Sequence, residues 1–346
     1  MQIGVAIGRT LPFEQQTELA VEAALLGFDY ITTNETPGET DAFQICLMRW
    51  LASREETPGG ITNAISVSPA GMRNPVGLAM SAMTTSAITG GKLILGLGTG
   101  RAYREAYRRM WGIPHRSTLR MMRDTLTALR ALTHGETVTY DSPHFKLEGA
   151  RVRVDAAPPT LYLAALGPEM VKLGGELADG LALNACPPEY LPKVRALVAE
   201  GAAKAGRQAG DVKLMQGVRL VIDDDVVAAR RKLVRGLMGG APIQEPGPRG
   251  EPLGYRAHYI NQGLAQEVAE VDAQRAKGLS ELEQIDQYPE LLVRGYYGKA
   301  DGAVEAFRRL SNGLDQATLN VGTAGAFDLT TTKQLMQRFR PEVLRA

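Results

Sequence analysis

The chain has 346 residues, of which 44% are hydrophobic and 22% charged, an ordinary composition for a folded globular protein. Lysine plus arginine number 39 against 38 aspartates and glutamates, a formal net charge of +1, which gives no electrostatic footprint for nucleic acid or an anionic membrane surface. Two cysteines, Cys46 and Cys186, cannot build a disulfide framework and suit a reducing cytoplasm, and no uncharged apolar run approaches the ~20 residues needed to span a bilayer. The opening Met1-Gln2-Ile3-Gly4-Val5 enters an apolar run at once, without a basic region or cleavage site, and reads as a first strand rather than a signal peptide.

Short apolar runs then alternate with amphipathic segments. Strands are expected over residues 3–7, 30–33, 62–67, 93–97, 161–164, 180–183, 213–221 and 317–321. Most are continuously apolar, as a parallel strand buried on both faces should be. Helices are expected over 13–26, stopping at Gly27; over 41–52, with Asp41 as N-cap; from Asn74-Pro75 to Gly90-Gly91; and over 117–132, 168–178, 189–205, 226–238 and 301–310, with 332–344 closing the last unit. A small hairpin is expected over 137–147, before the fifth strand. Residues 239–288 break the rhythm: they open too rich in glycine and proline for a helix or central strand, and a helical run over 264–277 follows.

Strict alternation demands parallel strands joined by right-handed crossovers. Eight units in a chain of this length favour an α/β fold of the closed (β/α)8, TIM-like barrel type. Residues 1–346 then form one barrel domain, with 239–288 inserted after strand 7 on the carboxyl-end rim, as a lid or as a subunit contact.

Motifs for a nucleophile elbow, a P-loop or a zinc protease are absent. The four histidines, His115, His134, His144 and His258, lack metal-ligand spacing, and no metal site is expected. Two turns are informative. Gly96-Leu97-Gly98-Thr99-Gly100-Arg101 follows a strand; its glycines let backbone amides approach a ligand, and Thr99 and Arg101 add donors. Glu105 stands where a dinucleotide fingerprint needs its last glycine. In Ala164-Ala165-Leu166-Gly167-Pro168-Glu169-Met170 a strand ends, Gly-Pro turns the chain and a helix begins; free amides at a helix N-terminus make an anion site. Either turn alone also reads as a plain strand-to-helix bend. Asp223-Asp224-Asp225 reads as a helix cap, and the basic, aromatic run from Tyr103 to Arg109 as a solvated rim helix.

Residues 166–184, from Leu166-Gly167-Pro168-Glu169-Met170 to Ala182-Leu183-Asn184, and residues 88–100, ending Gly96-Leu97-Gly98-Thr99-Gly100, resemble the bacterial luciferase-like superfamily. The Gly-Pro-x-Met form resembles the branch that uses the deazaflavin coenzyme F420, of the methylenetetrahydromethanopterin reductase type. The resemblance implies a TIM-like barrel, a cytoplasmic oxidoreductase that moves a hydride between F420 and a small organic substrate, and a homodimer or higher homo-oligomer. It implies a coenzyme phosphate at Gly98, Thr99 and Gly100 and at the amides of Gly167, Pro168, Glu169 and Met170. It also implies a non-prolyl cis bond within 64–67 that backs the ring, so Val67 lies against it, and Ser66, Ser68 and Asn184 as hydrogen-bonding candidates. The family commonly carries an acidic residue then His at the end of the second strand; here stand Asn34 and Glu35, and a buried Glu35 could replace the His in proton transfer. The alternatives are an FMN-dependent monooxygenase and a non-catalytic barrel that binds a cofactor or partner.

Overall fold

The structure is a computed structural model and describes residues 1–102, 104–113, 117–240, 247 and 249–346. Tyr103, His115 and most of the proline-rich opening of the insertion lie outside them. The strands are β1 (Gln2–Ala6), β2 (Tyr30–Thr33), β3 (Thr62–Pro69), β4 (Leu93–Gly98), β5 (Val138–Asp141), β6 (Lys146–Ala150), β7 (Thr160–Ala164), β8 (Gly180–Leu183), β9 (Lys213–Ile222), β10 (Tyr296–Gly298) and β11 (Gln316–Gly322). The helices are α1 (Phe13–Leu25), α2 (Ala42–Glu56), α3 (Pro75–Thr89), α4 (Glu105–Trp111), α5 (Thr118–Thr133), α6 (Pro168–Leu177), α7 (Leu191–Lys204), α8 (Val226–Gly240), α9 (Gly254–Asn261), α10 (Ala265–Ala276), α11 (Glu281–Asp286), α12 (Ala303–Ser311), α13 (Leu329–Arg338) and α14 (Pro341–Arg345). No described helix is long and apolar enough to cross a membrane.

Eight parallel strands close into a barrel in the order β1-β2-β3-β4-β7-β8-β9-β11, with β11 returning to β1. These are the eight strands expected from the apolar runs. The expected hairpin is present as β5 and β6. Local chemistry sets the helix starts: Asp41 accepts from the Phe43 and Gln44 amides, and Asn74 accepts from Val76 ahead of Pro75. Asp225 accepts from the Ala228 amide, so the acidic triplet caps a helix as expected. The single closing helix expected over 332–344 is two, α13 and α14. Pro341 cannot donate into a continuing helix, and instead starts the second.

Strand β10 was not foreseen. Among the described residues it pairs only with the end of β9, Tyr296 opposite Leu220. Before it, α9–α11 form a small satellite core in which Tyr259, Val268, Val271, Ile285 and Tyr288 pack with Val234 of α8 and Ala185 at the end of β8. This satellite sits on the carboxyl-end rim.

Inside the barrel, Tyr30, Ala64, Ile94, Tyr162, Ala182 and Met215 pack together. Tyr30 and Tyr162 plug the amino end: a side chain on Gly4 or Gly180 would run into their rings, and their hydroxyls bond Thr318 Oγ1 at 2.9 Å and Gln316 Oε1 at 2.7 Å. Strand alternation then turns Ala6, Gly98, Ala164 and Gly217 toward the axis near the opposite end, where small residues leave an open mouth. Strand β8 stops early. The side-chain amide of Gln216 accepts from the Cys186 N–H at 2.9 Å and donates to the Cys186 carbonyl at 2.8 Å, extending the ladder past its end.

Candidate active site

The mouth is framed by two glycine-bearing bends on neighbouring strands. Leu97 of β4 pairs with Leu163 of β7, and a Cβ on Gly98 would lie 3.4 Å from that of Ala164. The bends at Gly98–Gly100 and Gly167–Pro168 therefore stand side by side on the carboxyl-end rim.

Bend one is packed. The Ser66–Val67 peptide is cis, within the expected stretch 64–67, and the β3–β4 register shifts between Ile65 and Ser68. The bulge pushes Val67 against β4: a Cβ on Gly96 would meet Ile65 O at 2.5 Å, one on Gly98 would meet Val67 Cγ2 at 2.5 Å, and one on Gly100, at φ +58°, would meet Pro69 Cβ at 2.5 Å. These glycines are required by the bulge of their own sheet. Arg101 turns its guanidinium onto the Tyr107 hydroxyl at 2.6 Å.

Bend two is open. Nothing lies within 4 Å of where a Gly167 side chain would begin. Pro168 holds the first turn of α6 and, having no N–H, contributes no amide donor. The Met170 N–H is turned back onto Gly167 O at 3.1 Å. Of the four amides expected to meet a phosphate, those of Gly167 and Glu169 are left without a backbone acceptor among the described residues. A helix N-terminus of this kind favours an anion.

The end of β2 separates the two residues that the sequence places together. Asn34, in register with the inward-facing Tyr30, offers Oδ1 to Arg9 Nη1 at 3.1 Å. Glu35 points outward and its side chain is 7% exposed. It accepts from both Nη atoms of Arg73 at 2.6 Å and from Ser68 Oγ at 2.6 Å, while Arg73 also reaches Asp41 at 2.6 Å. Glu35 also donates its backbone N–H to Val67 O at 3.1 Å. Paired with these carboxylates, Arg73 is held above its ordinary pKa. Ser68, which the resemblance offered as a hydrogen-bonding candidate, is fully buried and gives its hydroxyl to Glu35, so it braces the bulge. Ser66 remains half-exposed beside the mouth.

Across the mouth, Asn184 donates Nδ2 to the Tyr255 hydroxyl at 2.7 Å and accepts from Arg219 Nη2 at 3.1 Å. Ala185 follows with φ +52°, a left-handed conformation uncommon outside glycine. Its carbonyl and that of Asn184 face His258 Nε2 at 3.2 and 2.9 Å, and His258 Nδ1 faces Leu166 O at 3.1 Å, one residue before bend two. Burial pushes the His258 pKa down. Sequence reasoning missed Arg219, Tyr255, His258 and Arg73. For Arg219 a signal existed: a charged residue between Val218 and Leu220 in the apolar second half of a strand needs an explanation.

A family model described as luciferase-like monooxygenase matches residues 1–324. The chain belongs to that family. Among curated relatives, this luciferase-like chain is 30% identical over 220 residues to a 5,10-methylenetetrahydromethanopterin reductase of Archaeoglobus fulgidus, covering 62% of the chain and 64% of the relative. It is 28% identical over 221 residues to an F420-dependent glucose-6-phosphate dehydrogenase of Mycobacterium leprae, 60% and 65% of the two lengths. The alignments thus span just under two thirds of these relatives. A solved coenzyme F420-dependent tetrahydromethanopterin reductase of Methanopyrus kandleri superposes with a TM-score of 0.73 over 97% of both chains at 19% identity, a likeness of fold. The chain is an enzyme.

Proposed function

We propose that this enzyme transfers a hydride between coenzyme F420 and a small organic substrate at the carboxyl-end mouth of the barrel. The observation that carries the reading is the side-by-side placement of the two bends, one packed against the sheet and one open at a helix N-terminus. The names of curated relatives support the choice of coenzyme. When bound, the deazaflavin accepts or supplies the hydride.

The residues present fit such a group. The N–H groups of Gly167 and Glu169 bind its phosphate, with Thr99 and Gly100 on the neighbouring strand closing the other side. Val67 backs the ring. Asn34, whose amide nitrogen has no acceptor among the described residues, and Asn184 orient substrate in the mouth. Glu35 is a positioning residue: with Ser68 and Arg73 it holds the bulge, and a carboxylate committed to four donors, the Ala42 N–H among them, leaves proton transfer to another group. The insertion roofs the mouth through α9 and excludes water. The enzyme is read as cytoplasmic, working as a homodimer or higher homo-oligomer without nucleic acid or membrane partners.

Titration of the full chain against F420 and against FMN tests this. Saturable quenching of F420 fluorescence is expected, with no comparable response to FMN. Binding of FMN alone would favour the monooxygenase after which the family model is named and overturn the proposal.

A further inference from the structure

His258 has carbonyl oxygens at both ring nitrogens. Leu166 O lies 3.1 Å from Nδ1, and Asn184 O and Ala185 O lie 2.9 and 3.2 Å from Nε2. The residue is 3% exposed, and burial, with the Arg294 cation nearby, favours the neutral ring. A neutral imidazole carries one N–H, so it can serve one side only, and its neighbours decide which. Arg294 Nη2 donates to Gln262 Oε1 at 2.8 Å. A guanidinium has no acceptor, so this bond fixes which end of the Gln262 amide is oxygen. The other end, Nε2, donates to Ala185 O at 2.9 Å and lies 2.8 Å from His258 Nε2. Its second N–H is therefore aimed at that ring nitrogen, which must be the bare one, and the imidazole proton sits on Nδ1, donated to Leu166 O. This tautomer leaves the Nε2 lone pair facing Asn184 O. The other would set N–H against N–H at Gln262 and turn a lone pair onto Leu166 O.

Leu166 O and the Gly167 N–H are the two ends of one peptide unit. The bond between these residues is trans, since among the described residues only Ser66–Val67 is cis. In a planar trans peptide the C=O and N–H point in opposite directions. A donor held on Leu166 O therefore aims the Gly167 N–H away from the imidazole, where it has no backbone acceptor among the described residues. The same bond polarises the unit and makes that N–H a stronger donor.

We infer that His258 is a positioning residue for the coenzyme: through Nδ1–H it aims the Leu166–Gly167 peptide so that the Gly167 N–H meets the phosphate, and Gln262, itself set by Arg294, fixes the tautomer. The tautomer stands on geometry alone, while the coenzyme claim rests on the hydride-transfer reading above. Two measurements on the full chain test them. The nitrogen NMR spectrum of the imidazole in neutral buffer should show His258 protonated on Nδ1 and bare on Nε2, and Gln262→Glu, which offers a carboxylate oxygen in place of the N–H, should bring a proton to Nε2. A wild-type ring protonated on Nε2 overturns the assignment. Fluorescence titration with F420 then compares two replacements, since asparagine presents its N–H near the place of Nδ1 and glutamine near that of Nε2. His258→Gln should weaken F420 binding by about tenfold, with His258→Asn within about threefold of wild type. Equal affinities in the two variants, high or low, overturn the positioning role. Should either fail to fold, as judged by thermal unfolding, Gln262→Met frees the ring to turn its proton to Asn184 O; F420 affinity should then fall by about threefold or more, and unchanged affinity overturns the role. If the wild type does not bind F420 while Nδ1 carries the proton, the hydride-transfer reading and the coenzyme claim fail together and the tautomer survives.

Discussion

The two bends that frame the mouth look alike as sequence, each a glycine-bearing turn after an apolar strand, yet they differ physically. At bend one the Cβ positions of Gly98 and Gly100 are blocked by Val67 and Pro69 of the neighbouring strand, so glycine at both lets the β3 bulge close on β4. At bend two nothing lies within 4 Å of the missing Cβ and the backbone conformation, φ −88° and ψ 157°, suits any residue, so the fold itself does not require glycine there. A glycine that makes room for its own fold and one that makes room for a ligand are told apart by what occupies the missing Cβ position, which only coordinates reveal.

The largest test of this contrast is Gly96→Ala. Its Cβ would lie 2.5 Å from a backbone oxygen, and an overpacking cost of about 3 kcal/mol or more is expected in urea unfolding; a loss under about 1 kcal/mol would show that the bulge yields. Next, Glu35→Gln removes the charge that holds Arg73 and should cost about 2 kcal/mol, with coenzyme affinity falling because the bulge loosens. Unchanged affinity would detach Glu35 from the site. Gly167→Ala reverses the pattern of bend one: stability within about 1 kcal/mol of wild type, but F420 affinity down by about tenfold, or 1.4 kcal/mol. Equal affinity would mean that nothing approaches Gly167. The smallest effect concerns the tie from the insertion to bend two. Because burial keeps His258 below its ordinary value of 6.5, the unfolded chain takes up its proton more readily. The stability of the neutral form is present above 6.5 and is lost as pH falls from there toward the lower folded value. The melting temperature should therefore decline modestly between pH 7 and 5.5, and less so in His258→Asn; parallel declines would assign the change to other groups.

Much of the scaffold was legible because a parallel barrel writes each strand as an unbroken apolar run and each crossover as a capped helix. β10 was not, since three residues leaning on one neighbour carry no periodic signal. The site was legible where geometry follows from topology, as with the two bends, whose adjacency is fixed by the pairing of β4 with β7. It failed where side-chain direction depends on an irregularity. Ser68 could not be assigned to the bulge without seeing its bond to Glu35, and Glu35 could not be told from a proton carrier without seeing Arg73, which is 38 positions away in the chain. His258 escaped because its acceptors, Leu166 and Asn184, come from distant strands.

The Gln216 side chain, held to both the N–H and the carbonyl of Cys186, stands in for a missing segment of main chain. A primary amide is the one side-chain head group that presents a donor and an acceptor in the same arrangement as a peptide unit. Glutamate would set oxygen against oxygen and methionine would leave both partners dry, so this single position permits β8 to halt early and swing aside. The wall of the barrel can thus be interrupted beside the mouth without exposing raw backbone, a solution that costs one residue instead of an added strand.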